Sequence, residues 1–312
     1  MKTTGVHFLQ TEAWARFQRS LGREVITKSG AGWSYLAVVE HGKLARRLYC
    51  PYGPTADDEK SLSAALDDLR TEATKRHLDF IRVEPIGDFT EADLRNLGLK
   101  RKLSHYAVQP IRTAINDVSG DAATISAGVS QKVRRYARKA ERAGLTYSHS
   151  QNPADIEFFI EMIHDVAART GMRPMSDDYY RKMAEVLFPA SDAGLIFAEF
   201  KGKKIASIVY FKAAQTMYYA HAANFTEYRD LSPANGLGLY ALLWAHDQGC
   251  QAFDWYGIAS ERSDTSASLA GITQFKLSFG GTVKDYLGAW ELPVNKSKYH
   301  LYKLAMKVAK QD

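Results

Sequence analysis

The sequence has 312 residues, of which 46% are hydrophobic and 24% are charged, and its formal net charge is +6. This length predicts two domains of about 150 residues each, and the composition is typical of a soluble globular protein. No apolar run approaches the roughly 18 residues that cross a membrane. The first residues also lack the apolar stretch of a signal peptide, so a membrane-spanning protein is not expected.

The cysteines and histidines predict no metal site. Cys50 and Cys250 lie far apart and form neither a CxxC motif nor a metal-ligand pair. The nine histidines do not cluster, and the HExxH and nucleophile-elbow motifs of hydrolases do not occur. We expect two reduced, partly buried thiols and a cytoplasmic protein without a metal.

The first half of the chain predicts a hairpin, a helix and a strand. Its helix is indicated by apolar residues at helical spacing, and Pro85 ends its last strand. These elements are strands at 33–40 and 44–50, a helix at 57–75 and a strand at 80–84. The second half repeats the order with one further strand. Its elements are strands at 195–200, 205–211 and 216–222, a helix at 233–248 and a strand at 253–256.

The repeated order predicts a duplicated α/β (α+β) module with mixed sheets. It resembles the acyltransferase fold of the GNAT superfamily, so two tandem GNAT-like domains are expected. The least structured stretch is 113–123, rich in Asp, Ser and Gly, and the domain boundary is placed there. We expect domain 1 at 1–120, completed by a C-terminal helix at 293–312, and domain 2 at 121–292.

The positive charge is concentrated in two segments, 132–142 and 296–310. Local positive charge predicts a local anionic partner, with polyphosphate and RNA as candidates. The segment 296–310 also has an apolar stripe, which predicts an amphipathic helix. We expect this helix to pack back onto the first domain, and contact with a membrane surface is the alternative.

A second helix, at 130–143, is predicted to have an apolar face and a basic face. Val133, Ala137 and Ala140 recur at helical spacing. Five cations share the opposite face: Lys132, Arg135, Arg138, Lys139 and Arg142. Few acidic residues stand one turn away to relieve their repulsion. Contact with phosphate or RNA and a solvated exterior both stay open.

Gly236-Leu237-Gly238 lies near the start of the helix predicted at 233–248. Glycines at a helix N-terminus let backbone N–H groups bind phosphate, as in the (Q/R)xxGx(G/A) loop of acyl-CoA enzymes. Pro233 stands where that loop has Gln or Arg. The glycines therefore indicate either a degenerate coenzyme A loop or close packing of the helix on a strand.

The segment 253–288 carries the most specific pattern. A short strand ends at Tyr256-Gly257, a polar loop follows, and Lys276 stands between apolar neighbours before the Gly280-Gly281 turn. A lysine in this position suits a positive charge directed into a cleft. In order and spacing the segment resembles the signature of the FemABX family of non-ribosomal aminoacyltransferases.

Further motifs are similar to those of this family. In chain order they are Trp14-Ala15-Arg16-Phe17-Gln18, Tyr49-Cys50-Pro51-Tyr52-Gly53-Pro54, Ile81-Arg82-Val83-Glu84-Pro85, Arg138-Lys139-Ala140-Glu141-Arg142-Ala143-Gly144, and Arg169-Thr170-Gly171-Met172-Arg173-Pro174 with Tyr179-Tyr180. A single motif such as R-x-E-P is weak, but the order of the whole set is specific. The long coiled-coil arm of some members is not expected, because no heptad run interrupts the second half.

Members of this family pair two GNAT-like domains and build peptidoglycan cross-bridges. They transfer an amino acid from aminoacyl-tRNA to an amine of the stem peptide of a precursor, either UDP-MurNAc-pentapeptide or lipid II. The resemblance implies the same reaction and partners here. It implies no cofactor, metal or ATP, because the ester of aminoacyl-tRNA is already activated. Contact with the inner membrane face is left open, because one acceptor is lipid-linked.

The resemblance assigns roles residue by residue. Lys276 matches the catalytic lysine, and Phe275 matches the neighbour whose backbone carbonyl faces the reacting amine. Glu84, which stands where relatives often have Asp, is the third catalytic candidate. The residues assigned to substrate binding are Gln18, Arg82, Arg173, Tyr179, His221 and Tyr256. Gln18 replaces a cationic phosphate ligand of some members, and His221 stands where some relatives have Tyr.

The expected chemistry agrees with these residue types. When the acceptor amine attacks the ester, negative charge develops on the carbonyl oxygen, and a fixed ammonium such as Lys276 stabilises it. Glu84 or the Phe275 carbonyl would orient the amine and accept its proton. The alternatives are a surface position for Lys276 and a structural Arg82–Glu84 network. Two other functions stay open: an acyl-CoA-dependent N-acyltransferase of GNAT fold, and a non-catalytic RNA- or precursor-binding protein.

Overall fold

The structure is a computed structural model that describes residues 6–102, 109–260 and 267–308. The strands are β1 (Val25–Gly30), β2 (Trp33–His41), β3 (Arg46–Cys50), β4 (Thr55–Ala56), β5 (Phe80–Val83), β6 (Lys100–Arg101), β7 (Arg112–Asp117), β8 (Leu145–Ser150), β9 (Ala193–Phe200), β10 (Lys203–Ala213), β11 (Thr216–Asn224), β12 (Ala252–Asp254), β13 (Thr282–Asp285) and β14 (Trp290–Pro293). The helices are α1 (Glu12–Ser20), α2 (Glu59–Lys75), α3 (Glu91–Asn96), α4 (Ala122–Gly128), α5 (Gln131–Arg142), α6 (Ile156–Thr170), α7 (Asp177–Leu187), α8 (Pro233–Asp247), α9 (Ala267–Leu277) and α10 (Lys296–Val308).

The chain divides into two compact units. The flanking unit comprises Leu9–Ile111 and Tyr286–Asp312, which lie on either side of the other unit in sequence. The central unit comprises Arg112–Asp285 together with Met1–Phe8. The domain ranges predicted from the sequence stay a prediction.

The flanking unit contains a mixed sheet with strand order β1-β2-β3-β5-β14-β6, and β4 pairs with β2. β3 and β5 are parallel, and the other neighbours are antiparallel. α2 packs on this sheet through buried Leu62, Leu66 and Leu69. All four residues of β5 are buried, which is typical of a strand in the middle of a covered sheet.

The last part of the chain completes the flanking unit. β14 lies between β5 and β6, and its buried Glu291 pairs with Arg82 of β5 at 2.5 Å. Tyr299 and Tyr302 of α10 pack against Phe80, and the Tyr299 hydroxyl donates to Glu291 at 2.9 Å. The predicted packing of the C-terminal helix onto the first half of the chain is confirmed.

The central unit contains a second mixed sheet, with strand order β13-β7-β12-β11-β10-β9-β8. β11 and β12 are parallel, and the other neighbours are antiparallel. α6 packs on β10 and β11, and α8 packs on β9, β10 and β11 and against α5. The prediction of a mixed α/β sheet in each half of the protein is therefore confirmed.

β7 corrects the sequence analysis, which placed the least structured stretch at 113–123. This strand pairs with β12 on one side and β13 on the other, and its Thr113 and Asn116 are buried. Short polar residues favour turns when they can bond locally. Here Thr113 donates to the carboxylate of Asp254, and Asn116 donates to the carbonyl of Phe279 at 2.9 Å. Both partners lie far away in sequence, so a polar strand is stable inside the sheet.

The two glycines near the start of α8 permit close packing. A Cβ on Gly238 would lie 2.5 Å from the Phe279 ring, and a Cβ on Gly236 would collide with the Tyr147 hydroxyl. α8 can approach these rings because both positions lack side chains. The close-packing alternative therefore explains both glycines, and the degenerate coenzyme A loop is not needed to account for them.

We predict that Gly238→Ala lowers the free energy of unfolding by about 1–2 kcal/mol. Overpacking costs roughly 1–3 kcal/mol, and the higher helix propensity of alanine offsets up to about 1 kcal/mol. Urea unfolding measures the change. Gly271→Ala in α9 is the control, since a Cβ there meets open space, and it should keep or raise stability. Wild-type stability of Gly238→Ala would contradict the packing account.

Candidate active site

Lys276 lies in the last turn of α9, and it is only 7% exposed. Its Nζ donates to the carbonyl oxygens of Tyr256 and Gly257, the latter at 2.9 Å. The same Nζ lies 5.2 Å from the centre of the Tyr219 ring, which is within cation–π distance. Two carbonyl dipoles and a ring therefore hold this ammonium inside the protein, and the surface alternative for Lys276 is excluded.

The turn after β12 presents these two carbonyls to Lys276. Tyr256 and Gly257 have φ angles of 46° and 58°, in the left-handed region that tyrosine rarely adopts. Asp254 at the end of β12 stabilises the turn by accepting from the N–H of Tyr256 at 2.7 Å. Its carboxylate also accepts from the hydroxyl of Thr113. The sequence Asp-Trp-Tyr-Gly thus forms a turn whose carbonyl oxygens face the end of α9.

Asn116 of β7 fixes the end of α9 against this turn. Its Oδ1 accepts from the indole N–H of Trp255 at 2.7 Å, and its Nδ2 donates to the carbonyl of Phe279 at 2.9 Å. The rings of Trp255 and Phe279, both fully buried, pack with centroids 4.3 Å apart. Lys276 is therefore held in position by a hydrogen-bonded amide and an aromatic pair.

Burial determines the proton affinity of this site. It lowers the pKa of Lys276 to about 8, and the nearby Asp254 carboxylate opposes that shift. Burial also raises the pKa of Asp254, against the hydrogen bonds from Thr113 and Tyr256. At neutral pH most of the Lys276 side chains are therefore cationic. A charge in such a water-poor setting acts strongly on a neighbouring charge of opposite sign.

A cavity of about 450 Å³ is lined by two neighbours of this lysine, although Lys276 itself is not part of the lining. β11 pairs with β12 only as far as Tyr218 and Asp254, and it then continues to Asn224 without that partner. The sheet therefore opens at this point. Phe275, the neighbour of Lys276, lines the cavity, as does Tyr219, the ring that Lys276 contacts.

The lining of this cavity is positive and includes an unpaired hydroxyl. Arg169 and Arg229 belong to it, and its described residues include no Asp or Glu. α8 begins at Pro233 without a side-chain cap, and Ala234 of its first turn lines the cavity, so the helix dipole adds positive potential. The buried Ser207 hydroxyl has no hydrogen-bond partner in the described part of the chain. This lining suits an anionic ligand with hydrogen-bonding groups.

The predicted substrate residues His221, Tyr179 and Arg173 lie around α6 and α7. His221 packs on the rings of Phe159 and Tyr180, and burial lowers its pKa to about 4, so its ring is neutral. Tyr179 lies in the first turn of α7, and Arg173 is exposed in the loop before that helix. Their roles in precursor binding stay predictions. Tyr256, in contrast, contacts Lys276 directly.

Gln18 and Arg82 of the flanking unit are engaged with other residues of that unit. Oε1 of Gln18 accepts from Arg23 at 2.6 Å, while its buried Nε2 has no partner in the described ranges. Arg82 pairs with Glu291 and contacts the Tyr302 hydroxyl at 3.2 Å. The ion pair of Arg82 is thus with Glu291, while its charge also acts on Glu84 and opposes the rise of that carboxyl's pKa. The proposed Arg82–Glu84 network stays a prediction. Substrate binding by Gln18 and Arg82 stays a prediction.

Glu84 is a buried carboxyl group of the flanking unit. Its Oε2 accepts from the Tyr49 hydroxyl at 3.0 Å and from the N–H of Tyr52 at 3.1 Å. Burial raises the pKa of Glu84 to about 7 in spite of these bonds. In the same unit, burial and the charge of Arg82 lower the pKa of Lys102 to about 8. The sequence analysis did not single out Lys102. A carboxyl with a pKa near 7 can exchange a proton at neutral pH.

The predicted phosphate-binding cations lie on the exposed face of α5. Val133, Ala137 and Ala140 of this helix are buried, as expected. The exposed cations are Lys132, Arg135, Arg138, Lys139 and Arg142. Among the residues that the structure describes, no carboxylate forms an ion pair with any of these five side chains. This face of α5 therefore keeps its positive charge, and phosphate binding by it stays a prediction.

Metal-ligating side chains do not gather in the described ranges. There, no group of three or more His, Cys, Asp or Glu residues is placed to hold an ion. Cys50 and Cys250 are free and buried, and burial raises the pKa of both thiols. Of the helices described, none is long and apolar enough to cross a membrane.

Solved structures share the whole fold. A tandem GNAT protein from the clavulanic acid biosynthesis pathway has a TM-score of 0.57 with this chain at 12% identity, over 94% of this chain and 91% of its own. FemX has a TM-score of 0.85 at 16% identity, over 96% of this chain and 95% of its own. The fold is therefore that of a tandem GNAT-like protein, as the sequence predicted.

Sequence comparison relates part of the chain to one family of proteins. The model of the FemAB family matches residues 193–307, from β9 into α10. The aminoacyltransferase FemA of Staphylococcus epidermidis is 30% identical over 101 residues, which are 31% of this chain and 22% of that relative. This chain thus spans about a fifth of the length of the curated relatives it matches. The part of the chain from β9 into α10 is therefore similar in sequence to the FemAB family.

We predict that Glu84→Gln flattens the pH dependence of stability between pH 4.5 and 7. The unfolded chain releases this proton near the ordinary pKa of 4.5, and the folded protein releases it near a pKa of about 7. In this window the folded state binds more protons, so wild-type stability falls as the pH rises, by about 3 kcal/mol in total. Urea unfolding at several pH values measures both slopes.

The control for this prediction is Glu59→Gln, which makes the same charge change at the exposed start of α2. It should leave the wild-type slope in place. Equal slopes for Glu84→Gln and the wild type would show that Glu84 is ionised near its ordinary pKa, and would remove it as a proton acceptor at neutral pH.

Proposed function

We propose that this protein transfers an amino acid from an aminoacyl-tRNA to an amine of the stem peptide of a peptidoglycan precursor, either UDP-MurNAc-pentapeptide or lipid II. The observation that carries the proposal is the buried ammonium of Lys276, whose neighbours Phe275 and Tyr219 line a positive cavity. The match of residues 193–307 to the FemAB family supports it, as does the similarity to a relative that is named an aminoacyltransferase.

The cavity beside Lys276 suits the end of the donor. Arg229, Arg169 and the start of α8 attract a phosphate. The Ser207 hydroxyl offers a hydrogen bond to a ribose or a base. Phe275 and Tyr219 supply aromatic surface on which a base can stack. With the terminal nucleotide in this cavity, the aminoacyl ester would lie near the ammonium.

Lys276 then acts on the charge that forms during transfer. The acceptor amine attacks the ester carbonyl carbon, and the carbonyl oxygen becomes negative as the new C–N bond forms. The ammonium stabilises this oxygen, and the Tyr256 and Gly257 carbonyls have already oriented it, so little reorganisation is needed. When the C–O bond to the ribose breaks, the amide stays on the acceptor and the ribose leaves as an alcohol.

Glu84 is the proposed acceptor of the amine proton, because its pKa of about 7 allows it to take a proton at neutral pH. The backbone carbonyl of Phe275, the other candidate, already accepts from the hydroxyl of Ser278 at 2.6 Å and from its N–H at 3.1 Å. We therefore assign that carbonyl no proton transfer. The vicinal hydroxyl of the tRNA ribose completes the transfer to the leaving oxygen.

The exposed cations of α5 are proposed to bind the tRNA backbone. Their charge is not neutralised by carboxylates of the described residues, and a row of cations along one helix face suits a row of phosphates. The acyl-CoA alternative would share the phosphate attraction of the α8 start, but it gains no support from Gly236 and Gly238, which are explained by packing.

We predict that Lys276→Met lowers the transfer rate by about 10²–10³-fold, the usual effect of removing one electrostatic stabiliser of an oxyanion. Purified protein, a set of charged tRNAs and either precursor form are combined, and aminoacylated precursor is quantified. The control is Lys201→Met in the exposed β9–β10 turn, which should transfer at the wild-type rate. Absence of transfer by the wild type with every donor and acceptor would reject the proposal. An unimpaired Lys276→Met variant would indicate a binding protein or another catalytic group.

We predict that Arg138→Gln and Lys139→Gln each weaken tRNA binding and each reduce the salt dependence. Loss of one phosphate contact should lower the slope of log K against log salt by roughly one unit. Filter binding over a range of salt concentrations measures the slope. The control is Lys182→Gln in α7, which removes a partly exposed lysine that pairs with Glu185. Wild-type slopes for both α5 variants would assign this helix face to solvent.

A further inference from the structure

The flanking unit has a cavity of about 660 Å³ with a strongly basic lining. The lining comes from α2, β6, β14 and α10. Its cationic residues are Arg70, Lys100, Arg101, Lys296 and Lys303, and His300 lies among them. No Asp or Glu belongs to the described lining. A concave surface whose charged side chains are all positive concentrates anions from solution.

Neighbouring carboxylates do not neutralise this cavity. Glu91 pairs with Arg101 at 2.6 Å, but it also pairs with a second arginine outside the lining. Glu291 pairs with Lys303 at 3.3 Å, but its main partner is the buried Arg82. Arg70 also pairs with Asp67, at 3.5 Å on the exposed surface of α2. The cavity keeps a positive surplus because Lys100 and Lys296 have no carboxylate partner in the described ranges.

Two lysines of the lining account for this excess of positive charge. Lys100 and Lys296 are exposed, and within the described ranges neither forms an ion pair. The Nζ of Lys100 lies 5.8 Å from the centre of the Tyr299 ring, which belongs to α10. Both charges therefore face solvent beside that helix and can meet an anion with little rearrangement.

α10 also carries exposed apolar residues outside the cavity lining. Tyr299 and Tyr302 face inward and are buried, whereas Leu301 and Leu304 are 65% and 46% exposed. Residues three positions apart share one face of a helix, so the two leucines form a single outward stripe. The helix thus presents leucines to solvent while its cationic side chains line the cavity.

We propose that this α10 surface, formed by Lys100, Lys296, His300, Leu301 and Leu304, docks on an anionic phospholipid bilayer. The cations contact lipid phosphates, and the leucines enter the boundary between headgroups and acyl chains. An RNA backbone offers phosphates but no apolar phase for the leucines, so only a bilayer matches both features. The proposal is independent of the transfer reaction, because it concerns binding alone.

The test is co-sedimentation of the full chain with vesicles. Binding is expected to vesicles of phosphatidylcholine mixed with phosphatidylglycerol, and much weaker binding to phosphatidylcholine alone. Lys100→Gln and Lys296→Gln should each lower the partition coefficient roughly fivefold. Leu301→Gln combined with Leu304→Gln should lower it at least about tenfold. The variants at all four positions are compared by thermal unfolding as well, since exposed substitutions should leave the fold intact.

Matched controls make the same changes elsewhere. Lys60→Gln and Lys201→Gln remove exposed lysines, and Val283→Gln removes a partly exposed apolar side chain. These variants should bind vesicles as the wild type does. Equal losses in the controls, or no binding to anionic vesicles, would overturn the proposal. Binding of an RNA hairpin or of inorganic phosphate without vesicle binding would also overturn it, and would reassign the cavity to that ligand.

Discussion

The proposed chemistry depends on the contact between the Lys276 ammonium and the carbonyl oxygens of Tyr256 and Gly257. A buried cation is costly unless polar groups replace its water. The chain supplies them with a left-handed turn that Asp254 stabilises, and Asn116 ties the end of α9 to the same sheet. These dipoles are oriented during folding, so the charge is in place before an ester arrives.

Buried polar groups also connect distant segments within each unit. Arg82 and Glu291 are 209 residues apart in sequence, and they join β5 to β14 in the flanking unit. Thr113 and Asp254 are 141 residues apart, and they join β7 to β12 in the central unit. Removing one partner of a buried ion pair such as Arg82–Glu291 typically costs about 3–5 kcal/mol. These pairs therefore favour the observed order of strands in each sheet over other orders that would bury the apolar residues equally well.

The mixed sheets and the buried position of Lys276 could be predicted because they leave local signals. Apolar periodicity marks the strands and helices, and the lysine stands between apolar neighbours before a glycine turn. β7 could not be predicted, because Thr113 and Asn116 resemble turn residues until their distant partners are known. Ser207 gave no signal either, since its unpaired hydroxyl matters only beside a cavity that several separate elements form.

The proton affinity of Lys276 tests the account most directly. Isotope labelling of the lysine side chains lets NMR follow their titration, and the resonance lost in Lys276→Met identifies this residue. The account predicts a pKa of about 8, because the ammonium is buried and held by neutral carbonyls. A pKa at the ordinary value of 10.5 would place the ammonium in water and contradict the central claim.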